Sequence, residues 1–293
     1  MGTEKGKSEV KEIRGLHSYE SPVDKPPKTM YKYTSFKRTF DILLNNKIYF
    51  AKSLEFNDPF DGPFTLDYST PESRRAIVKD IEQNAPEKNW LIDEKQKQAF
   101  IKNPHHDAFI LDARNKFQKE DPAGFCCLTD TCQSMPMWAH YAANHSGCCL
   151  VFDFSKHSQK SPKDDFPFYW MKKIKYQKDL PKYSTGRIWH YYAYKSCEWE
   201  YEHEWRAVMF GKKTLCRLPP DSFLYRETNG AGLYSLGNFL HGVILGHKME
   251  EAFKEVIKVA ARQRGIVVQQ ASPEVYEYGI RLTEVDNKRS NQA

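Results

Sequence analysis

The stretch Met30-Tyr31-Lys32-Tyr33-Thr34-Ser35, continued by FKRTFDILLN over 36–45 and closed by Ile48-Tyr49-Phe50-Ala51, decides the fold class. Met30 to Thr34 is rich in aromatic and β-branched residues and is bounded by polar ones, which predicts a short strand. The next ten residues are different. Their apolar positions, 36, 40, 43 and 44, fall on one helical stripe, and Ser35 is placed to cap the helix start. Asn45-Asn46 ends the helix, and Ile48 to Ala51 reads as a second strand.

Working outward, Phe56-Asn57-Asp58-Pro59-Phe60-Asp61-Gly62-Pro63 carries the Asn, Asp, Pro and Gly of an ordered loop. Residues 71–120 change character to a charged, Lys- and Gln-rich segment with helical spacing, punctuated by Pro86 and Pro104. Strands are expected to return at Phe125–Leu128, Cys148–Phe154, Met171–Tyr176, Trp205–Phe210, Val243–Leu245, Val267–Gln270 and Tyr276–Leu282. Helices are expected at Pro136–Asn144, Arg187–Lys195 and Glu250–Arg264. Strands interrupted by helices without a regular βαβ rhythm predict an α+β fold with a mixed or antiparallel sheet, flanking helices and a helical insertion. The expected organisation is a flexible leader over 1–28, one α+β domain over 29–283 with the insertion at 71–120, and a C-terminal tail over 284–293.

Composition narrows the class. With 293 residues, 40% of them hydrophobic, the chain can bury a sizeable core, and 15 Gly with 16 Pro exclude collagen and wholesale disorder. No apolar run reaches the ~18 residues of a membrane span. The charged N-terminus lacks the apolar core of a secretory signal, so a cytoplasmic location is expected. The net charge of +6 is scattered along the sequence, which argues against a nucleic-acid groove. Seven cysteines without an export signal are expected to be reduced, several of them buried.

Four stretches stand out in order. They are Met30-Tyr31-Lys32-Tyr33; Ile48-Tyr49-Phe50-Ala51 running into Phe56-Asn57-Asp58-Pro59-Phe60-Asp61; Met137-Trp138-Ala139-His140-Tyr141-Ala142 with His145-Ser146-Gly147; and Glu202-His203-Glu204-Trp205-Arg206. Together they resemble a bacterial family known only as domain of unknown function twenty-nine seventy-one. The resemblance runs from about residue 30 to 282.

The opening strand, helix and I-Y-F-A strand also resemble the start of the ADP-ribosyltransferase fold. That resemblance implies a first-strand residue that holds NAD and a later Glu-x-Glu whose second carboxylate stabilises the oxocarbenium-like transition state as nicotinamide leaves. On this sequence it implies Glu204 as the catalytic carboxylate, with Glu202 orienting the acceptor. It further implies NAD as substrate, Lys32 and Tyr33 against the nucleotide, and Tyr31, Ser53, Trp138, His140, Tyr141 and Arg206 lining the cleft. Period 2 on a strand would set Glu202 and Glu204 on one face. Lys32 departs from the His or Arg of that fold. It can meet a phosphate as a point charge but lacks the fork of Arg.

Bland uses compete with these. Glu202-x-Glu204-x-Arg206 can be the solvated face of a strand. Trp138 and Tyr141, three residues apart, share a helix face, and His145-x-Gly147 suits a helix end. Asp58 and Asp61 suit an Asx-turn and a helix cap better than a cation site. Cys127-x4-Cys132 and His140-x4-His145 imitate a zinc set, but seven residues separate the pairs against the usual ~12, and no metal is expected. Leu245-Gly246 could lead an anion to a helix start, where Glu250 and Glu251 would repel it.

Three functions follow. One is an NAD-consuming ADP-ribosyltransferase-like enzyme, a bacterial defence or toxin effector with a protein or nucleic-acid acceptor. Another is an enzyme acting on nucleotides or nucleic acid through the same cleft and His140. The third is a binding or sensor module in which the motifs hold the fold together, and it predicts motif residues that are buried against one another.

Overall fold

The computed structural model describes residues 24–61, 69–84, 94–103, 123–155, 168, 170–180, 192–210 and 230–285. Strand β1 (Thr29–Thr34) leads into helix α1 (Phe36–Asn45) and strand β2 (Lys47–Phe50), as the opening stretch predicts. The Ser35 hydroxyl accepts the Arg38 N–H at 3.4 Å, and Asn46 closes the helix in the left-handed conformation at φ 52°. Arg264 secures that end from a distance. It donates to the carbonyls of Ile42 and Leu43 at 3.2 and 3.1 Å and to Asn46 Oδ1 at 2.5 Å, where a cation suits the helix C-terminus.

The insertion segment contributes α2 (Pro71–Asn84) and α3 (Glu94–Lys102); residues 85–93 and 104–122 lie outside the described ones. Next come β3 (Ala123–Thr129), α4 (Met135–Tyr141), β4 (Cys148–Asp153), β5 (Trp170–Lys173), β6 (Lys175–Gln177) and β7 (Tyr194–Ser196). A 3-10 helix, Cys197–Glu202, leads into β8 (Glu204–Phe210). The chain continues with β9 (Gly232–Ser235), β10 (Leu240–Leu245), α5 (Glu251–Gln263), β11 (Val267–Pro273) and β12 (Ile280–Glu284).

Eight strands form one sheet in the order β12-β11-β10-β4-β1-β3-β8-β5. All neighbours are antiparallel except β10 and β11, which α5 joins as a parallel pair, so the fold is α+β with a mixed sheet. One face buries Met30, Leu150, Phe152, Trp205, Val243 and Leu245 beneath α1 and α5. The opposite face carries Tyr33, Cys149 and Ile244 under Met137 and Trp138 of α4. Beside them Phe125 and Val208 pack with Tyr192 and Phe56.

Two expectations need correction. The helix foreseen over 187–195 ends differently: 187–191 lie outside the described residues, and Tyr194–Ser196 is a strand paired with β6, because Lys195 is drawn inward by two carboxylates. The strand foreseen from 276 begins at Ile280, since Tyr276 to Gly279 form the turn from β11. Residues just beyond 29–283 make bonds of their own. Asp24, assigned to the leader, bonds β5 through its N–H to the Met171 carbonyl at 2.8 Å and its carboxylate to the Lys173 N–H at 2.9 Å, while Val285 N–H bonds the Val268 carbonyl at 3.0 Å. No described helix is long and apolar enough to cross a membrane.

Candidate functional site: a buried charge network under an aromatic rim

Glu204 and Arg206 alternate along β8 and share the face of Phe125 and Val208, while Trp205 turns to the other face. Glu202 is not on the strand. It is the last residue of the 3-10 helix, and His203, left-handed at φ 47°, turns the chain into β8. The expected period-2 pairing of the two carboxylates is therefore wrong in its geometry. They converge because the turn folds Glu202 back onto Lys195, and Lys195 holds both, at 2.5 Å to Glu202 Oε2 and 3.1 Å to Glu204 Oε2.

The network closes on the other side through Arg206. Its Nε donates to Glu204 Oε1 at 2.7 Å and its Nη2 to Glu204 Oε2 at 3.1 Å. The same guanidinium meets Asp61 as a fork, Nη1 to Oδ1 at 2.6 Å and Nη2 to Oδ2 at 2.5 Å, and donates to the Tyr192 carbonyl at 3.2 Å. Phe56 covers it, with the ring centroid 5.1 Å from the guanidinium carbon. Lys195, Glu202, Glu204, Arg206 and Asp61 are all buried, at 8, 3, 3, 1 and 4% exposure.

At its outer end the network reaches Tyr141 of α4, whose hydroxyl donates to Glu202 Oε1 at 2.5 Å and accepts from the Asn57 amide at 3.1 Å. Around this point stand His140, Trp199 and Tyr201. His140 is exposed and its Nδ1 lies 3.0 Å from the Tyr201 hydroxyl; which of the two donates follows the imidazole tautomer. Tyr201 is 5.9 Å from the His140 ring and 6.1 Å from Trp199, and Lys195 lies 4.9 Å from the Trp199 ring centre.

Environment separates the two glutamates. Burial raises the Glu204 carboxyl, but Arg206 and Lys195 together outweigh it and hold the group well below the ordinary range. Glu202 goes the other way: burial and then the neighbouring Glu204 charge push it up, only partly offset by Lys195. Burial, then the bond to Glu202, raises the Tyr141 phenol as well.

The remaining candidates divide. Tyr31 and Tyr33 lie on the network's face of the sheet: Tyr33 meets Trp138 edge-on at 5.2 Å, and burial pushes the Tyr31 phenol up to about 12. Lys32 alternates to the opposite face, between Met30 and Thr34, and its ammonium donates to the Cys127 carbonyl at 2.9 Å. It does not face the glutamates. Ser53 is buried at the start of the short 3-10 turn Ser53–Glu55. Trp138 is fully buried and bonds the Cys132 carbonyl at 2.9 Å, so it supports α4 rather than lining an opening. Asp58 makes the expected Asx-turn to the Phe60 N–H at 2.9 Å, whereas Asp61 serves Arg206 instead of capping a helix. Among the described residues no group of His, Cys, Asp and Glu is arranged to hold a metal.

Sequence reasoning misses Lys195 and the pairing of Asp61. Asp61 stands in a quoted motif, but turn chemistry explains it locally. Lys195 has no spacing signal, since its partners lie across a turn.

No curated protein and no solved structure matches the chain. Residues 137–207, from α4 through the middle of β8, match the family described as Protein of unknown function (DUF2971). That segment holds Tyr141, Lys195, Glu202, Glu204 and Arg206, four-fifths of the charged network and its outer hydroxyl, so the match to this family falls on the site itself.

Proposed function

We propose that the chain is a nucleotide-recognising module in which the motif residues lock the fold beneath an aromatic rim, with Glu204 part of the lock. The observation that carries this reading is the saturation of the network: all six carboxylate oxygens of Asp61, Glu202 and Glu204 have a partner within 3.1 Å. Glu204, 3% exposed and paired with Arg206 on both oxygens, is turned into the protein rather than toward a substrate. The rim of His140, Tyr141, Trp199 and Tyr201 offers ring faces and edges on which a base can stack.

A second reading keeps the NAD-consuming, ADP-ribosyltransferase-like enzyme, a defence or toxin effector, with Glu202 in place of Glu204 as the working carboxylate. It is favoured by the position of Glu202 at the outer end and by its upward-shifted carboxyl. One experiment separates the two. The full chain is incubated with NAD and with ADP-ribose, and both binding and nicotinamide release are measured for wild type, Glu202→Gln and Glu204→Gln. Binding without release supports the module. Release that is lost in folded Glu202→Gln supports the enzyme. Neither binding nor release overturns both.

A further inference from the structure

Away from the charge network the chain shows two exposed apolar features, one protruding and one recessed. The protruding one is the turn Glu274-Val275-Tyr276-Glu277-Tyr278-Gly279 between β11 and β12. Its base is tied, since Pro273 pairs with Ile280 and the Glu274 N–H donates to the Gly279 carbonyl at 3.0 Å. Tyr276 and Tyr278 are fully exposed, and Val275 is exposed beside them. A single exposed apolar residue is ordinary, but two rings and a valine gathered at the end of a hairpin make a contact surface.

The recessed feature is the seam between α1 and α5. The two helices run parallel. Phe36 stacks on Phe253 at their starts, with ring centres 4.4 Å apart, and Arg264 holds the carbonyls of Ile42 and Leu43 at their ends. Phe36, Phe40 and Leu44 follow at steps of four along α1, and Phe253, Val256 and Val259 at steps of three along α5, so each helix lays an apolar stripe along the seam. Leu44, Phe253, Val256 and Val259 are 40–57% exposed. Charge on the α1 side favours an acidic occupant. The first turn of α1 holds Lys37 and Arg38 and no acidic residue, at the positive end of the helix dipole. Glu250 and Glu251 stand at the start of α5, and Glu251 is already bonded to Lys254 and Lys258. The tip brings Glu274 and Glu277 with its tyrosines.

Position and area complete the match. Helix α5 starts beyond the end of β10, and the turn starts at the end of the parallel strand β11, so tip and seam entrance lie at the same end of the sheet. A two-fold axis at that end lets each of two copies lay its tip in the other's seam. One buried aromatic side chain removes about 150–250 Å² from water, so four tyrosines and the surfaces they meet bring such a pair within the ~1,200–2,000 Å² of a stable interface. We propose that the tip docks in the α1–α5 seam of a second copy of this chain, in a symmetric dimer. The seam lies on the face of the sheet opposite Glu204 and Arg206, and the dimer is independent of the nucleotide reading.

The test is the mass of the full chain by sedimentation equilibrium across the micromolar range, where wild type is expected to be a dimer. Tyr276→Ser combined with Tyr278→Ser removes the tip, and Val256→Asp places a charge in the seam. All three positions are exposed, and each variant is checked for a native melting transition. Both variants are expected to weaken self-association at least about thirtyfold, the scale of losing a buried interface anchor. An equimolar mixture of the two is expected to recover dimer that neither forms alone, because the intact tip of one meets the intact seam of the other. No recovery in the mixture means a contact of seam on seam or tip on tip, and overturns the inference. A monomeric wild type, which leaves the seam to another segment or another protein, overturns it, as does a tip variant that associates like wild type. If Val256→Asp does not fold, Leu44→Asp takes its place with the same expectations.

Discussion

Asp61 and Arg206, 145 residues apart in sequence, meet as two parallel hydrogen bonds of 2.6 and 2.5 Å with both side chains buried. This pair fastens the loop after β2 to the middle of β8, on the face of the sheet that carries Glu204. Breaking it from one side leaves a buried guanidinium with too few partners, which costs about 3–5 kcal/mol. Asp61→Asn is therefore expected to lower the unfolding free energy by that order in urea titration. Asp58→Asn, in the same loop, keeps an Oδ1 that can accept the Phe60 N–H and is expected to cost about 1 kcal/mol or less. Equal effects would mean that the loop, and not the ion pair, is what holds.

The two glutamates are expected to respond oppositely to neutralisation. Glu204 titrates below its ordinary value in the folded protein, so its contribution is present above the unfolded value of about 4.3 and is lost as pH falls toward the folded one. Glu202 titrates above its ordinary value, so ionising it works against folding as pH rises through the folded value. Glu204→Gln should then lose about 3–5 kcal/mol at neutral pH, and the deficit should shrink in acid. Glu202→Gln should stay within about 1 kcal/mol of wild type at neutral pH, or exceed it. Denaturation at neutral and mildly acidic pH measures both. A Glu202→Gln variant that loses as much as Glu204→Gln would show that Glu202, too, is held as a stabilising anion.

A third expectation concerns two glycines. A Cβ on Gly246 would lie 2.2 Å from the His145 carbonyl oxygen, and one on Gly147 would lie 2.3 Å from the Thr34 carbonyl oxygen. Both obstacles are backbone, so they cannot swing aside. They sit where Ala143, Asn144 and His145 run left-handed in succession, at φ 47, 53 and 69°, to carry α4 into β4. Gly246→Ala and Gly147→Ala are each expected to cost about 1–3 kcal/mol, seen as a lower melting temperature. Gly237→Ala is the control for volume, because its Cβ would meet nothing within 4 Å and only its positive φ resists.

Much of the frame was legible because it is local. The stripe at 36, 40, 43 and 44 and the cap at Ser35 need no knowledge of the rest of the chain, and α1 forms there. Alternation identified β8 from Trp205 onward, and paired Glu204 with Arg206 on one face. The partners of those residues were not legible, since Asp61 and Lys195 reach them across a loop and a turn. Lys195 shows why: three residues of strand replaced the end of an expected helix once two carboxylates had to be neutralised, and tertiary electrostatics outweighed local propensity. Glu202 was misplaced for a related reason. The left-handed turn at His203, a residue that tolerates positive φ better than most, breaks the period that Glu202-x-Glu204 suggests.

The outer end of the network offers the most direct measurement. Tyr141 donates its proton to Glu202 Oε1 at 2.5 Å and takes a bond from Asn57 at 3.1 Å, so it is the link between the buried charges and the rim. Tyr141→Phe keeps the ring against its neighbours and deletes the hydroxyl alone. Two effects follow. A buried carboxylate oxygen loses its donor, which costs about 1–3 kcal/mol of stability at neutral pH. Burial and Glu204 raise the Glu202 carboxyl while the Tyr141 bond opposes them, so deleting that bond moves the carboxyl higher still. Carbon NMR of the glutamate carboxyl resonances, assigned with Glu202→Gln, is expected to show the Glu202 midpoint shifted upward in Tyr141→Phe and the Glu204 resonance unmoved through mild acid. Asn57→Ala, which removes an exposed donor to the same hydroxyl, is expected to leave both stability and midpoint close to wild type. An unshifted Glu202 midpoint in Tyr141→Phe would mean that the phenol and carboxylate do not share a proton bond in solution, and that the charge network ends at Lys195.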